Sequence, residues 1–149
     1  MKRAVFALFF FLPSCACRIP TWYYESDCYG TCYAYGKLRY SETNPCKNLE
    51  LEILYTAGEL LMYINVLSIP INDSSSTPGC IPCIVDLADS RVEFDAMRLE
   101  GGQRFRVPSA AMDMILDHLF AGGMLDLQIG RYKGQITACN FKQAYKKLF

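Results

Sequence analysis

Apolar and polar residues alternate along much of the chain after residue 47, which is the period of a half-buried β-strand. Leu49, Leu51 and Ile53, for example, alternate with Glu50 and Glu52. The strands predicted from such segments cover residues 49–55, 60–71, 81–87, 91–99, 103–107, 125–129 and 135–139. Gly101-Gly102 marks a hairpin turn, and residues 72–79 are a polar loop.

From Pro108 the period changes to that of an amphipathic helix. Its apolar stripe consists of Met112, Ile115, Leu116, Leu119 and Phe120. We expect Ser109 to cap this helix and Gly122-Gly123 to end it. A second, short helix is predicted after Asn140, with Asn140 as its cap and Gln143 in the capping-box position. The expected fold class is α+β, with a mostly antiparallel sheet of six or seven strands and two helices.

The first 14 residues have the composition of an export signal. Lys2-Arg3 precedes an apolar run over residues 4–12. This run is too short to span a bilayer, which takes about 20 apolar residues, but it suits the apolar region of a secretory signal, about 7–15 residues long. We therefore divide the chain into a signal peptide (1–14), a tether (15–47) and a globular domain (48–149).

The window Leu12-Pro13-Ser14-Cys15 resembles the lipobox of bacterial lipoproteins. The resemblance implies that the Cys15 thiol receives a diacylglyceryl group, and that signal peptidase II cleaves before this residue. The protein would then be anchored to a bacterial membrane by lipid. Residue 16 is Ala rather than Asp, and in this family that favours the outer membrane. Ser14-Cys15-Ala16 also fits signal peptidase I, so cleavage before Cys17 and release of a soluble secreted binding protein is an alternative.

Residues 16–47 have no clean helical or alternating period. They contain the single tryptophan, Trp22, together with several tyrosines and cysteines. We expect a loop-rich, disulfide-stapled tether in front of the sheet. Its aromatic side chains either form a sugar- or protein-binding face or pack over the sheet and cover the disulfides.

The chain has eight cysteines. They are Cys15, Cys17, Cys28, Cys32, Cys46, Cys80, Cys83 and Cys139. Behind an export signal such cysteines are normally disulfide-bonded. If Cys15 is lipidated or removed, seven remain, so at least one thiol is free or bonded to another chain. In composition the chain resembles the cysteine-rich envelope lipoproteins of chlamydial type, which implies envelope proteins as disulfide-linked partners.

Two cysteine motifs offer alternatives. Cys80-Ile-Pro-Cys83 resembles the active site of thioredoxin-like oxidoreductases, which implies a periplasmic thiol–disulfide enzyme. That family places a helix after the motif, whereas residues 84–87 have the pattern of a strand. Cys28 and Cys32 with Cys80 and Cys83 could supply four thiolates to zinc, but an exported protein favours disulfides.

No other pattern predicts catalysis. His118, the single histidine, has no evident nucleophile partner, and G-x-S-x-G and HExxH motifs are absent from the sequence. Basic and acidic residues number 15 each, so the chain lacks the basic footprint of a nucleic-acid binder apart from Lys142, Lys146 and Lys147. We expect a membrane-anchored envelope lipoprotein with a structural or interaction role, no enzymatic activity, no metal and no cofactor beyond the lipid on Cys15.

Overall fold

The computed structural model describes residues 21–29, 33–41, 48–71 and 76–149. Within these ranges the chain forms nine strands and two helices. The strands are β1 (Thr21–Tyr29), β2 (Tyr33–Ser41), β3 (Leu49–Thr56), β4 (Glu59–Val66), β5 (Cys80–Leu87), β6 (Ser90–Arg98), β7 (Arg104–Arg106), β8 (Met124–Ile129) and β9 (Tyr132–Thr137). The helices are α1 (Ser109–Phe120) and α2 (Phe141–Tyr145).

All nine strands belong to one sheet in the order β1-β2-β3-β4-β7-β6-β5-β8-β9. Every neighbouring pair is antiparallel. The α+β class, the mostly antiparallel sheet and the two helices are therefore confirmed. The predicted strand count of six or seven is wrong.

The two additional strands lie in the segment predicted to be a tether. β1 and β2 pair over their full length, from Thr21 opposite Ser41 to Tyr29 opposite Tyr33. Trp22 is buried while its neighbour Tyr23 is about half exposed, so this segment does alternate, with aromatic residues that favour strands. The structure does not support a loop-rich, disulfide-rich tether, since these residues extend the same sheet as β3.

One face of the sheet, the inner face, packs with both helices into a single core. It contributes Leu38, Ile53, Met62, Val85 and Leu127, and the helices add Ile115, Leu119 and Phe141. The sheet is strongly curved, as the proximity of β9 and β3 shows. A Cβ placed on Gly134 of β9 would lie 3.5 Å from the Leu49 side chain of β3. The opposite surface, the outer face, carries the polar residues of the strands.

Asn140 joins the two ends of the sheet. Its Oδ1 accepts a hydrogen bond from the Trp22 backbone N–H at 2.9 Å, and its Nδ2 donates to the Trp22 carbonyl at 3.1 Å. The Trp22 indole Nε1 also donates to the Thr137 carbonyl at 2.9 Å. The Asn140 amide thus bonds to β1 as the backbone of a neighbouring strand would.

The predicted helix caps are wrong in two places. Asn140 adopts a left-handed conformation with φ 53° and makes no side-chain cap bond to α2, because its amide is engaged with Trp22. At α1 the cap position is Pro108 rather than Ser109, and no side chain caps the helix. The predicted strand over 60–71 is also too long, since β4 ends at Val66.

Candidate functional site

The five N-terminal cysteines have no described side chains. Cys15, Cys17, Cys32 and Cys46 fall outside the described residues, and Cys28 lies in β1 without a described side chain. Lipid attachment at Cys15 therefore stays a prediction. The same holds for disulfides formed by the other four cysteines.

Cys80 and Cys83 lie three residues apart on β5, and strand geometry points them to opposite faces of the sheet. Cys80 is opposite the exposed Met97, whereas Cys83 is opposite Phe94 and is 1% exposed. Three strand residues span about 10 Å, beyond the roughly 7 Å that a disulfide bridges. Burial raises the pKa of the Cys83 thiol to about 12. This geometry gives no support to a redox pair, nor to a zinc site that uses both thiols.

Cys139 has the opposite surroundings. It is an exposed free thiol in the connection between β9 and α2. Cys80 and Cys83 are free as well, so the described cysteines form no disulfide with one another. Of these three, Cys139 is the thiol most accessible to another molecule.

His118 has a structural partner near the end of α1. Its Nε2 lies 2.9 Å from the Met124 carbonyl oxygen. The ring packs directly on Gly123, where any Cβ would collide with it. Among the described residues, no group of three or more His, Cys, Asp or Glu side chains could hold a metal ion.

Two buried carboxylates are the unexpected feature of the outer face. Glu50 and Glu52 of β3 are 8% and 5% exposed, although their alternation with leucine predicts a solvated face. A charge removed from water is costly unless it is paired and hydrogen-bonded. The neighbouring strands β2, β4 and β7 supply these partners.

Each glutamate has its own guanidinium, and the two share one amide. The Asn65 Nδ2 donates to Glu50 Oε1 at 3.0 Å and to Glu52 Oε2 at 3.2 Å. Arg104 Nη2 donates to Glu52 Oε1 at 2.5 Å, and Arg39 Nη1 lies 3.5 Å from Glu50 Oε2. We call these five residues the Glu50–Glu52 network.

The network continues toward β1 and β7. Arg39 Nη2 also donates to Glu25 Oε1, and this hydrogen bond lowers the pKa of the Glu25 carboxyl. Lys37 Nζ lies 3.3 Å from the other Glu25 oxygen. The Arg104 guanidinium stacks 4.0 Å above the Tyr63 ring. These contacts join five of the strands through side chains alone.

Three open clefts lie beside the sheet, two on its outer face and one at the edge where α1 begins. The first, of about 160 Å³, adjoins the Glu50–Glu52 network and is lined by Tyr35, Lys37, Leu54 and Thr56 along with Glu52 and Arg104. Its cations already contact Glu25 and Glu52. The cleft therefore offers hydrogen bonds to a ligand mainly from side chains that are already paired within the protein.

The second cleft, of about 490 Å³, lies over β5, β8 and β9. Asp86 and Asp126 lie directly opposite each other there, and like charges in that position are destabilising. Arg91 Nη1 lies 3.6 Å from Asp86, and Gln135 Nε2 donates to Asp126 at 3.1 Å. Both carboxylates thus have partners within the protein.

The third cleft is the most apolar. It has a volume of about 380 Å³ and lies beside the start of α1, with Leu60, Leu61, Met97 and Met112 along its wall and Arg106 at its side. Methionine and leucine side chains suit contact with another apolar surface. None of the three clefts has the enclosed shape and convergent reactive groups of a characteristic active site.

Sequence reasoning missed the Glu50–Glu52 network because its members lie on four different strands. Glu50 and Glu52 by themselves match the polar half of an alternating strand. A possible sequence signal was the presence of Arg39 and Arg104 at polar positions of β2 and β7. To recognise them as partners of the two glutamates, however, one must know the order of the strands in the sheet.

The chain matches no protein-family model, and no curated protein or solved structure is significantly similar to it. In the described ranges, no helix is long and apolar enough to cross a membrane.

Proposed function

We propose that this chain is an envelope lipoprotein, held on a bacterial membrane by lipid attached to Cys15, with a folded domain that binds or supports other envelope components. The observation that carries this proposal is the N-terminal sequence. A basic pair, a short apolar run and Leu12-Pro13-Ser14-Cys15 follow one another in the order that lipoprotein processing requires.

Lipid attachment would supply the membrane affinity by itself. Each buried CH₂ contributes about 0.8 kcal/mol, and a single acyl chain anchors a protein only marginally. Two or three chains on Cys15 would hold the domain on the bilayer without a membrane-spanning segment. The outer membrane is the favoured location because Ala16 follows the cysteine.

The described side chains support an interaction role better than a catalytic one. Cys83 is buried with a raised pKa, and His118 contacts a backbone carbonyl. The sheet and the start of α1 instead present three open clefts of mixed polarity. The exposed Cys139 thiol suits the proposed intermolecular disulfide with another envelope protein.

Metabolic labelling with a fatty acid tests the anchor. We expect the wild-type chain and Cys17→Ala to incorporate label and Cys15→Ala to incorporate none. Cys17→Ala is the matched control, because it removes a neighbouring thiol without changing the proposed acceptor. A Cys15→Ala protein that still takes up label would refute the proposal.

Protein N-terminal sequencing separates the anchored form from the secreted alternative. A lipidated Cys15 gives no sequence where its amino group is acylated, and otherwise gives a blank first cycle followed by Ala16. Cleavage by signal peptidase I would give a readable terminus beginning at Cys17. That terminus would establish the soluble form and contradict the anchor.

A further inference from the structure

We propose that the domain also docks on the bilayer through a second surface, the basic end, which consists of α2 and the residues after it. Its ligands are the headgroups of anionic phospholipids. This inference rests on the proposed lipid anchor at Cys15, and it defines which face of the domain meets the membrane.

The first support is charge. The basic end, residues 141–149, contains three basic side chains and no acidic one. Lys142, Lys146 and Lys147 are exposed and have no carboxylate within 4.0 Å among the described residues. Each basic residue near an anionic bilayer strengthens binding by about fivefold.

The acidic residues of the sheet lie on the other side of the molecule. Asp86, Glu93, Asp95 and Asp126 are on the outer face, whereas α2 packs on the inner face. In the helix layer the acidic residues are Asp113 and Asp117 of α1, and neither forms an ion pair with the three lysines. The charge distribution therefore orients the basic end, and not the sheet, toward a negative surface.

The second support is an aromatic cluster beside the lysines. The Phe149 side chain is 70% exposed, the most exposed of the large hydrophobic side chains described. Its ring lies 5.5 Å from that of Tyr145 and 4.6 Å from that of Tyr55. Aromatic rings next to lysines suit the headgroup region, where the ring enters the interface and the ammonium groups meet phosphates.

The third support is the position of the anchor. β1 begins at Thr21, and its second residue, Trp22, is hydrogen-bonded to Asn140 and lies 4.9 Å from the Phe141 ring of α2. Only six peptide units separate Thr21 from Cys15, a length of about 20 Å at full extension. With so short a connection, the surface around Thr21 lies nearest to the bilayer. That surface includes α2, because Trp22 contacts Asn140 and Phe141.

Energy transfer from Trp22 to a dansyl-labelled lipid tests the docking. Trp22 is the only tryptophan and lies against α2, so its emission reports the distance of the basic end from the bilayer. The full-length lipidated protein is reconstituted in vesicles of phosphatidylcholine alone, or of phosphatidylcholine and phosphatidylglycerol in equal amounts. We expect stronger transfer in the anionic vesicles, and we expect high salt to abolish the difference.

Two charge-matched variants locate the effect. Lys142→Gln/Lys146→Gln/Lys147→Gln should lower the docking equilibrium constant by about a hundredfold and reduce transfer to the level of neutral vesicles. Arg91→Gln/Arg106→Gln/Lys133→Gln removes the same charge from exposed positions on the sheet and should leave transfer unchanged. Equal transfer in both vesicle types, or equal loss in both variants, would overturn the docking proposal.

The same preparation separates failure of the docking from failure of the anchor. Flotation with pure phosphatidylcholine vesicles reports the anchor alone, since this zwitterionic lipid has no net negative charge to attract the lysines. Protein that floats but shows no preference for anionic lipid keeps the anchor and refutes the docking. A lysine variant that changes the sedimentation of the protein but not the transfer would assign the basic end to contact with a second copy, which also refutes the docking.

Discussion

Cys83 and Cys139 have the same side chain and opposite environments. Cys83 lies in the core with a raised pKa, and Cys139 lies at the surface. The sequence predicted both as disulfide candidates, because cysteine count and compartment carry no information on burial. For Cys83 the alternation of β5 held the missing information, since Ile81, Cys83 and Val85 lie on one face of the strand.

Site-resolved alkylation at neutral pH tests this contrast. A pKa near 12 instead of 9.0 makes the thiolate fraction of Cys83 roughly a thousandfold smaller. We expect Cys139 to be alkylated rapidly and Cys83 to be nearly inert in the folded protein, with similar rates in denaturant. Peptide mass spectrometry measures each site separately, and rapid labelling of native Cys83 would contradict its placement in the core.

Non-reducing electrophoresis of envelope extracts tests the intermolecular disulfide. If Cys139 bonds to a partner, the wild-type chain runs in a larger, reducible band and Cys139→Ser runs as a monomer. Cys80→Ser is the control, because it removes another free thiol. A reducible band that survives in Cys139→Ser would assign the bond to a different cysteine.

Asn140 is the residue whose role the sequence predicted wrongly. Its position before an apolar helix indicated a cap, but its amide bonds to a strand that is 118 positions away in the chain. Asn140→Gly keeps the left-handed backbone accessible and removes both hydrogen bonds, so we expect a loss of about 1–3 kcal/mol in the free energy of unfolding.

Urea denaturation measures the effect of Asn140→Gly, and two further variants serve as comparisons. Asn140→Ala should lose about 1 kcal/mol more than Asn140→Gly, because alanine is strained at φ 53°. Gln143→Ala, at an exposed position of α2, should change stability by less than about 0.5 kcal/mol. A large loss of stability in Gln143→Ala, with no loss in Asn140→Gly, would contradict the role of Asn140 and would support the capping box predicted from the sequence.

At the scale of elements, the existence of the strands and helices from residue 49 onward could be predicted from their regular periods, but β9 begins at Tyr132, three residues before the strand predicted over 135–139. β1 and β2 could not be predicted, because tyrosine, cysteine and glycine obscure the alternation of Trp22, Gly36 and Leu38 with Tyr23 and Lys37. The order of the sheet was also unpredictable, since β4 pairs with β7 and β5 with β8. Such long-range pairings depend on packing of the whole sheet rather than on local sequence.

The Glu50–Glu52 network makes stability depend on one amide. Asn65→Leu keeps the approximate volume but removes the donor shared by both buried carboxylates, so we expect a loss of about 1–3 kcal/mol in the free energy of unfolding. Gln128→Leu, another polar-to-apolar change on the outer face, should have an effect below about 0.5 kcal/mol. Urea denaturation compares the two, and equal effects would contradict the role of Asn65.

Glu25 gives the network a pH dependence. Because the hydrogen bond from Arg39 lowers the folded-state pKa of this carboxyl, its contribution is present above the unfolded pKa and is lost as pH falls through the folded value. Glu25→Gln should therefore lessen the drop in melting temperature on acidification, by a small amount because the carboxyl is partly solvated. Glu59→Gln is the control, and an unchanged acid dependence in Glu25→Gln would exclude the effect.

At the scale of the whole molecule, the sheet, its inner core and its two helices form a domain whose first described strand begins close to the proposed anchor. The N-terminal sequence predicts where the protein resides, and the fold adds which surface would face the bilayer. The sequence could not predict that surface, because the start of β1 and α2 are brought together by the long-range bonds between Trp22 and Asn140.

Intact-mass analysis of the membrane-extracted protein tests the central claim most directly. The account predicts the mass of residues 15–149 plus a diacylglyceryl group and, where the amino group is acylated, one further acyl chain. A mass equal to residues 17–149 without lipid, or to the unprocessed chain, would contradict lipid attachment at Cys15.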